Sequence, residues 1–591
     1  MDLIPLPVIS SSQEAHKAAF VTTSVPVSYS DGFYEEEHDG PDVFRWMSNR
    51  GCLTFDPRPM ECFLELWVCS EFADLSQRLT FYAGGTLETV ELLHGWAPVS
   101  IEVPRGVDRL VIEPNKLFPK AYYAADPRSL AVRTRKPLLH ADPRRHMSIR
   151  RQWENAVLNT REMIAGKTIL ASTPPQLGLD LHGACNVKPP CVYCEWDSAK
   201  EQEGDNVDAP FTPETLTEYG DFFSNAARLQ NCSIGEPFMM RTLDELLDVF
   251  GDEGKTLELS TNGQILTDRN VQKLIGRDIH LYISLDAATA ETYARLRNDT
   301  FHKILLNIRR LMIAKGEHQD QPKVFLVFMP ILANVQELDD FVRLCAELRV
   351  DGMVLRPLNR TVGDNLRWDR AGYRFEYDKE LLPFDELVRV SGRAAELCRR
   401  LGVSLLDQLD FGGELKPMFE DAYSQGREEV STTSSMSATS GGLPHGPSVT
   451  ESPTEGAGEV ARVEEKPPLG VESLPVCVEP WKSIFILRRG VLPCSYGGFP
   501  IADKDGYRQA WNSTLLQGIR DKLRRGTFHE YCLRSRACPI VRKWESARQL
   551  PGGQKTFLLV WNFWRRLNSV TGGIPRRLLG RLRLLRPPAA R

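Results

Sequence analysis

The chain lacks any apolar run approaching the roughly 18 residues a membrane span needs. Its best runs, Val324 to Leu332 and Phe557 to Trp561, are too short. The N-terminus, MDLIPLPVISSSQEAHK, has no basic region followed by an apolar stretch, so no secretory signal is expected. Charge of one sign is not in excess: 73 basic and 78 acidic residues leave −5. That balance gives no global electrostatic case for a nucleic-acid partner. Biased composition is missing too. With 42% apolar and 26% charged residues, wholesale disorder, collagen and coiled coil are excluded. At about 150 residues per domain, 591 residues suggest roughly four domains. The 13 cysteines are odd in number and gather in two places. Without an export signal, clustered thiols read as metal ligands or reactive groups rather than a disulfide framework, and a reducing cytoplasm is expected.

Residues 1–144 have a strand-and-turn rhythm. Runs such as Cys62–Cys69, Leu79–Tyr82, Val99–Val103 and Arg109–Glu113 sit between Gly, Pro and Asp turns, which predicts an all-β, sandwich-like unit. Cys52, Cys62 and Cys69 lie there and read as buried core thiols. Residues 145–423 open with a connecting helix over 145–165. Strands are then expected at Thr168–Leu181, Leu229–Ser233, Thr256–Ser260, Ile279–Ser284, Lys323–Met329 and Gly352–Leu355. Amphipathic segments fall between them at 213–228, 241–250, 268–276, 301–314 and 335–348. Repeated βα units make a parallel sheet, here six units against the eight of a full barrel. Residues 424–470, rich in Ser, Thr, Gly and Pro, read as a disordered linker. A compact Cys-containing segment spans 471–548. The tail, 549–591, carries Arg576, Arg577, Arg581, Arg583, Arg586 and Arg591 behind the aromatic stretch Phe557–Trp564. Weak contact with an anionic membrane surface and a basic helix docked or frayed in solvent are both compatible with it.

The chemistry-bearing residues are placed where parallel α/β units put their active face, in loops after the strands. After the first strand comes His182-Gly-Ala-Cys185-Asn-Val-Lys-Pro-Pro-Cys191-Val-Tyr193-Cys194. Gly235-Glu236-Pro237 follows the second and Ser260-Thr-Asn262-Gly the third. The fourth ends in Ser284-Leu-Asp286, the fifth in Met329-Pro330, and the sixth in Arg356-Pro-Leu-Asn359. Three thiols on one loop suit an iron–sulfur cluster with one open iron, or zinc if His182 supplies a fourth ligand.

The set, in this order, resembles the radical S-adenosylmethionine (radical SAM) enzymes over residues 168–360. The loop here is C-x5-C-x2-C, two residues longer than that family's usual C-x3-C-x2-C. The resemblance implies an α/β fold, a partial (β/α)6 TIM-like barrel. It implies a [4Fe–4S] cluster on Cys185, Cys191 and Cys194, and SAM chelating the fourth iron. It further implies reductive cleavage of SAM to a 5′-deoxyadenosyl radical that abstracts a hydrogen atom. Tyr193 then flanks the adenine, Gly235 lets the backbone approach the ligand, and Glu236 accepts from the SAM ammonium. Ser260 and Asn262 serve the ribose and carboxylate, Ser284 and Asp286 lie near the ribose, and Arg297 pairs with the SAM carboxylate. An external one-electron reductant of the flavodoxin or ferredoxin type is implied as a partner. No general acid or base stands out.

The second set is Cys477, Cys494, Cys532 and Cys538. It resembles the SPASM extension of many radical SAM enzymes, which holds auxiliary clusters. Four thiols here, against the usual seven, suit one auxiliary [4Fe–4S] cluster, with structural zinc the alternative. Such a cluster passes an electron or holds the segment folded. Cys232, Cys345 and Cys398 are isolated and read as core thiols. SPASM-type relatives commonly modify peptides or proteins, and others act on sugars. The strand-rich N-terminal unit, with Asp31-Gly-Phe-Tyr34, is similar to modules accompanying surface-polysaccharide enzymes. Trp46 and Trp96 suit either sugar stacking or a sandwich core. The competing reading is a zinc-stabilised binding or scaffold protein in which both Cys sets are structural.

Overall fold

The computed structural model describes residues 25–39, 42–120, 126–194, 211–316, 321–358, 367–370, 372–409, 475, 477–535 and 538–549. The linker expected at 424–470 and the basic tail beyond 549 lie outside the described residues.

The N-terminal unit is a sandwich of two antiparallel sheets. One has strands in the order Phe33–Asp39, Asp42–Met47, Arg133–His140, Cys62–Ser70 and Gly95–Val103, with Val25–Pro26 also pairing on Arg133–His140. The other runs Ser28–Tyr29, Gly51–Thr54, Arg109–Pro114, Arg78–Tyr82 and Thr86–Glu91. Alternation along Cys62–Ser70 explains the packing. Leu64, Leu66 and Val68 face the second sheet and meet Leu53, Leu79, Phe81 and Ile112. Phe63 and Glu65 point the other way, onto the helix Pro143–Ile164. There Phe63 stacks on His146 at 4.2 Å and Glu65 accepts from Arg145 at 2.7 Å. Cys52, Cys62 and Cys69 are buried. Trp46 and Trp96 are half-buried. The Arg133 guanidinium lies 5.7 Å from each ring, and that of Arg135 lies 4.3 Å from Trp96, so a protein cation already occupies their faces.

The α/β unit has one sheet. Its parallel strands are β1 (Gln176–Leu179), β2 (Arg228–Asn231), β3 (Thr256–Thr261), β4 (Ile279–Ser284), β5 (Lys323–Phe328), β6 (Gly352–Leu355), β7 (Ser404–Asp407) and β8 (Ser483–Leu487). β9 (Gly490–Leu492) is antiparallel to β8. The spatial order is β7-β6-β5-β4-β3-β2-β1-β8-β9. The six strands expected from the sequence are its centre, the partial barrel. The first begins later than its apolar pattern suggests. Pro174 and Pro175 cannot donate to a ladder, and the backbone before them is held by Glu162 and Asn155 side chains instead. β5 is buried at every position, as a parallel strand covered on both faces should be.

Two flanking strands extend this centre. β7 follows the helix Phe384–Leu401. β8 comes from the C-terminal Cys segment and pairs Ser483–Ile486 with Gln176–Leu179 of β1. The C-terminal segment therefore shares the sheet and the core. Trp481 is fully buried, donates its indole N–H to the Lys167 carbonyl at 2.9 Å, and its own carbonyl accepts from Asn159 at 2.7 Å. Arg520, also fully buried, donates to the carbonyls of Pro480 and Thr168 and lies 4.5 Å from the Trp511 ring. Buried donors matched to particular carbonyls in this way make the docking specific rather than greasy.

The sandwich meets the opposite, N-terminal ends of the strands. Asp42 pairs with Lys323, the first residue of β5, at 3.0 Å, and Arg145 donates to the Gly251 carbonyl ahead of β3. The mouth at the carboxyl ends is left to the loops. No helix among the described residues is long and apolar enough to cross a membrane.

Candidate functional site

The three-cysteine loop leaves β1 and folds over the mouth. Cys191 is buried; Cys185 and Cys194 are half-buried. A tight turn, Cys194 N–H to the Cys191 carbonyl at 3.0 Å, brings the last two thiols round together. Burial pushes the Cys185 thiol up, and nearby Cys191 and Glu236 push the same way. Among the described residues, no three His, Cys, Asp or Glu side chains converge tightly enough to hold a single ion. Three thiols on one loop, one buried and two half-buried, fit a cluster with one free iron.

Gly235 is required by the cysteine loop. A Cβ there would lie 2.5 Å from the Ala184 carbonyl oxygen, 2.6 Å from the Gly183 carbonyl carbon and 2.7 Å from the His182 carbonyl oxygen. The Glu236 N–H donates to that same Ala184 carbonyl at 2.7 Å. The Glu236 carboxylate is buried and accepts from the Thr261 hydroxyl at 2.8 Å, the Asn262 N–H at 2.8 Å and the Phe238 N–H at 3.3 Å. Burial raises its pKa to about 7 against those donors. Glu236 thus ties the loops after β2 and β3 together. Asn262 reaches the cysteine loop directly, donating to the Asn186 side chain at 2.8 Å.

Ser260 and Ser284 are half-buried at adjacent strand ends. The two-residue period sets them on the same face as Glu258 and Tyr282. That inner face is lined by Tyr282, Phe325, Val327 and Val354. It carries the Arg228–Glu258 ion pair at 2.7 Å, and Arg356 lies 5.5 Å from the Tyr282 ring. Asp180, where β1 ends, faces Arg488 at 3.9 Å, and burial raises its pKa against that cation. Asn359 lies outside the described residues.

Tyr193, Asp286 and Arg297 come together, in a way the spacing did not reveal. The Tyr193 hydroxyl donates to Asp286 at 2.6 Å, Arg297 donates to the same carboxylate oxygen at 2.6 and 3.2 Å, and a third Arg297 nitrogen donates to Cys191 Sγ at 3.6 Å. Asp286 has φ +59, a conformation non-glycine residues hold only where surroundings enforce it. The enforcers are the Met329 N–H on its carboxylate at 2.9 Å and the Asn334 amide on its carbonyl at 2.8 Å.

The four cysteines of the second set, Cys477, Cys494, Cys532 and Cys538, are each half-buried. Burial pushes all four thiols up. Cys477 adds to this through Cys494 and Cys538, Cys494 through Cys532 and Cys538, and Cys532 through Cys538. Iron or zinc would reverse the cost by holding the thiolates. Cys345 and Cys398 are buried and Cys232 is half-buried.

Fold and site together define a radical SAM domain: residues 181–345 match the family model of the Radical SAM superfamily. A domain of that superfamily supports an enzyme, and it implies a [4Fe–4S] cluster and SAM. Among solved structures, SuiB of Streptococcus suis bound to its precursor peptide SuiA is 14% identical, with 66% of this chain and 74% of that one covered and a TM-score of 0.41. SuiB bound to S-adenosylmethionine is 13% identical, with the same coverage and a TM-score of 0.38. A radical SAM methyltransferase from Sphaerobacter thermophilus is 15% identical, with 38% and 63% covered and a TM-score of 0.28. Likenesses at this level carry no argument about substrate. No curated protein matches the chain.

Proposed function

We propose that the protein cleaves SAM reductively and uses the product to activate a C–H bond of a peptide, protein or sugar-type substrate. When bound, the cluster and SAM supply an electron transfer that opens a sulfur–carbon bond and yields a 5′-deoxyadenosyl radical able to take a hydrogen atom. The observation that carries this reading is the three-thiol loop at the mouth, on which the Gly235-Glu236 and Asn262 loops close with no spare volume. Cys185, Cys191 and Cys194 would hold three irons. Gly235 and Glu236 fix the height of the loop. Asn262, Ser260 and Ser284 stand at the strand ends where the methionyl and ribose groups would lie. Tyr193, Asp286 and Arg297 back the loop from behind. The inner face of the sheet, from Glu258 to Arg356, orients the substrate and excludes water.

Cys477, Cys494, Cys532 and Cys538 would hold one auxiliary [4Fe–4S] cluster in a SPASM-like extension, and a small flavodoxin or ferredoxin would supply the electron. The test is anaerobic. Protein with iron and sulfide that releases 5′-deoxyadenosine under reductant supports the reading, and the Cys185/Cys191/Cys194→Ala variant should release none. Colourless protein containing zinc would instead make it the binding or scaffold protein. Panels of peptides and nucleotide sugars that accelerate 5′-deoxyadenosine release would identify the substrate.

A further inference from the structure

Arg297 follows the short helix Ala290–Leu296 and leaves helical geometry, with φ −126 and ψ −88. Its side chain is 8% exposed. Two of its nitrogens grip one oxygen of Asp286, and Nη1 donates to Cys191 Sγ at 3.6 Å. Little in this arrangement is free to move. The Val192 N–H, next to Cys191, donates to the Leu296 carbonyl at 3.0 Å, so the cysteine loop and the residue before Arg297 are joined through the backbone. Tyr193 adds its hydroxyl to Asp286 and its ring lies 5.5 Å from the guanidinium. An ion pair alone would need only the two nitrogens on Asp286. The third is spent on a sulfur.

We infer that Arg297 sets the reduction potential of the cluster held through Cys191, with Asp286 as its counterweight, and that it does not serve as a SAM ligand. A cluster thiolate that accepts a hydrogen bond from a cation gives up electron density, which favours the reduced, more negative state. The buried Asp286 carboxylate opposes this, so the pair trims the potential in both directions. Arg297 acts through Cys191 and is a positioning and tuning residue. The inference rests on Cys191 being a cluster ligand.

The test is a potentiometric titration of the reconstituted full chain, following the part of the reduced-cluster EPR signal that SAM perturbs. Arg297→Gln should lower the reduced-to-oxidised ratio at fixed potential about tenfold, a shift of about 59 mV to more negative values. Asp286→Asn should shift it the opposite way, and Arg297→Lys should recover part of the Gln loss. A purely structural role would change cluster loading or melting without opposed potential shifts. If Arg297→Gln fails to load, Asp286→Asn and Arg297→Lys decide. Potentials that stay at the wild-type value, or shift in the same direction, overturn the inference. A wild type with no SAM-sensitive cluster overturns the proposed function itself.

Discussion

Gly235→Ala is the smallest change that should disable the site. The added methyl has nowhere to go, because its three nearest atoms, 2.5 to 2.7 Å away, are all backbone of the cysteine loop. A side chain could rotate aside, but three consecutive residues of main chain cannot. A comfortable C–H···O separation is about 3.3 Å, so the loop must retreat by roughly 0.8 Å. The retreat also stretches the Glu236 N–H bond to the Ala184 carbonyl. Overpacking of this kind costs about 1–3 kcal/mol. A displacement near 1 Å between reacting groups costs on the order of 100-fold in rate. The expected result is a modest loss of stability, lowered iron loading or an altered SAM-sensitive EPR line, and 5′-deoxyadenosine release down about 100-fold. Denaturation, iron analysis and single-turnover SAM cleavage read the three effects. Wild-type loading and cleavage in Gly235→Ala would refute the argument that the two loops close on each other.

Three more outcomes are expected. Trp481→Ala empties a fully buried site that anchors the C-terminal segment and should cost about 3–5 kcal/mol in denaturant; less than about 1 kcal/mol would show the segment is not docked. Cys494→Ser and Cys538→Ser should remove roughly half the iron, since one of two four-iron clusters is lost, while the SAM-sensitive signal persists. His146 is held near pKa 4 by burial first, then by Arg150 and His140. The folded state binds that proton less readily than the unfolded chain. Its stability contribution is therefore whole above about pH 6.5 and lost as pH falls towards 4. Discounted for solvent screening, the loss is about 1–2 kcal/mol. His146→Gln should flatten that part of the stability profile, and an unchanged slope would assign the titration elsewhere.

The central strands were legible because a parallel strand covered on both faces is a near-continuous apolar run, as Val324–Phe328 shows. The place of β8 was not. The pattern Ser-Ile-Phe-Ile-Leu announces a buried strand, but periodicity names a face and not a partner, and β1 lies some three hundred residues earlier in the chain. The site residues at strand ends, such as Cys185, Glu236 and Asn262, stood out because loops there have little packing reason to be polar. For Arg297 the resemblance implied a partner of the SAM carboxylate. Its bond to Cys191 depends on the left-handed turn at Asp286 and on a tyrosine across the loop, neither of which leaves a mark in local sequence. Trp46 and Trp96 likewise hid their partner, Arg133, more than eighty residues from Trp46 in the chain.

The most direct test is EPR of oxygen-free, reduced protein with and without SAM. The account predicts a [4Fe–4S] signal that changes shape when SAM is added and vanishes when Cys185, Cys191 and Cys194 are replaced by Ala, leaving any second cluster signal behind. A spectrum indifferent to SAM, or one unaltered by the triple replacement, would contradict it.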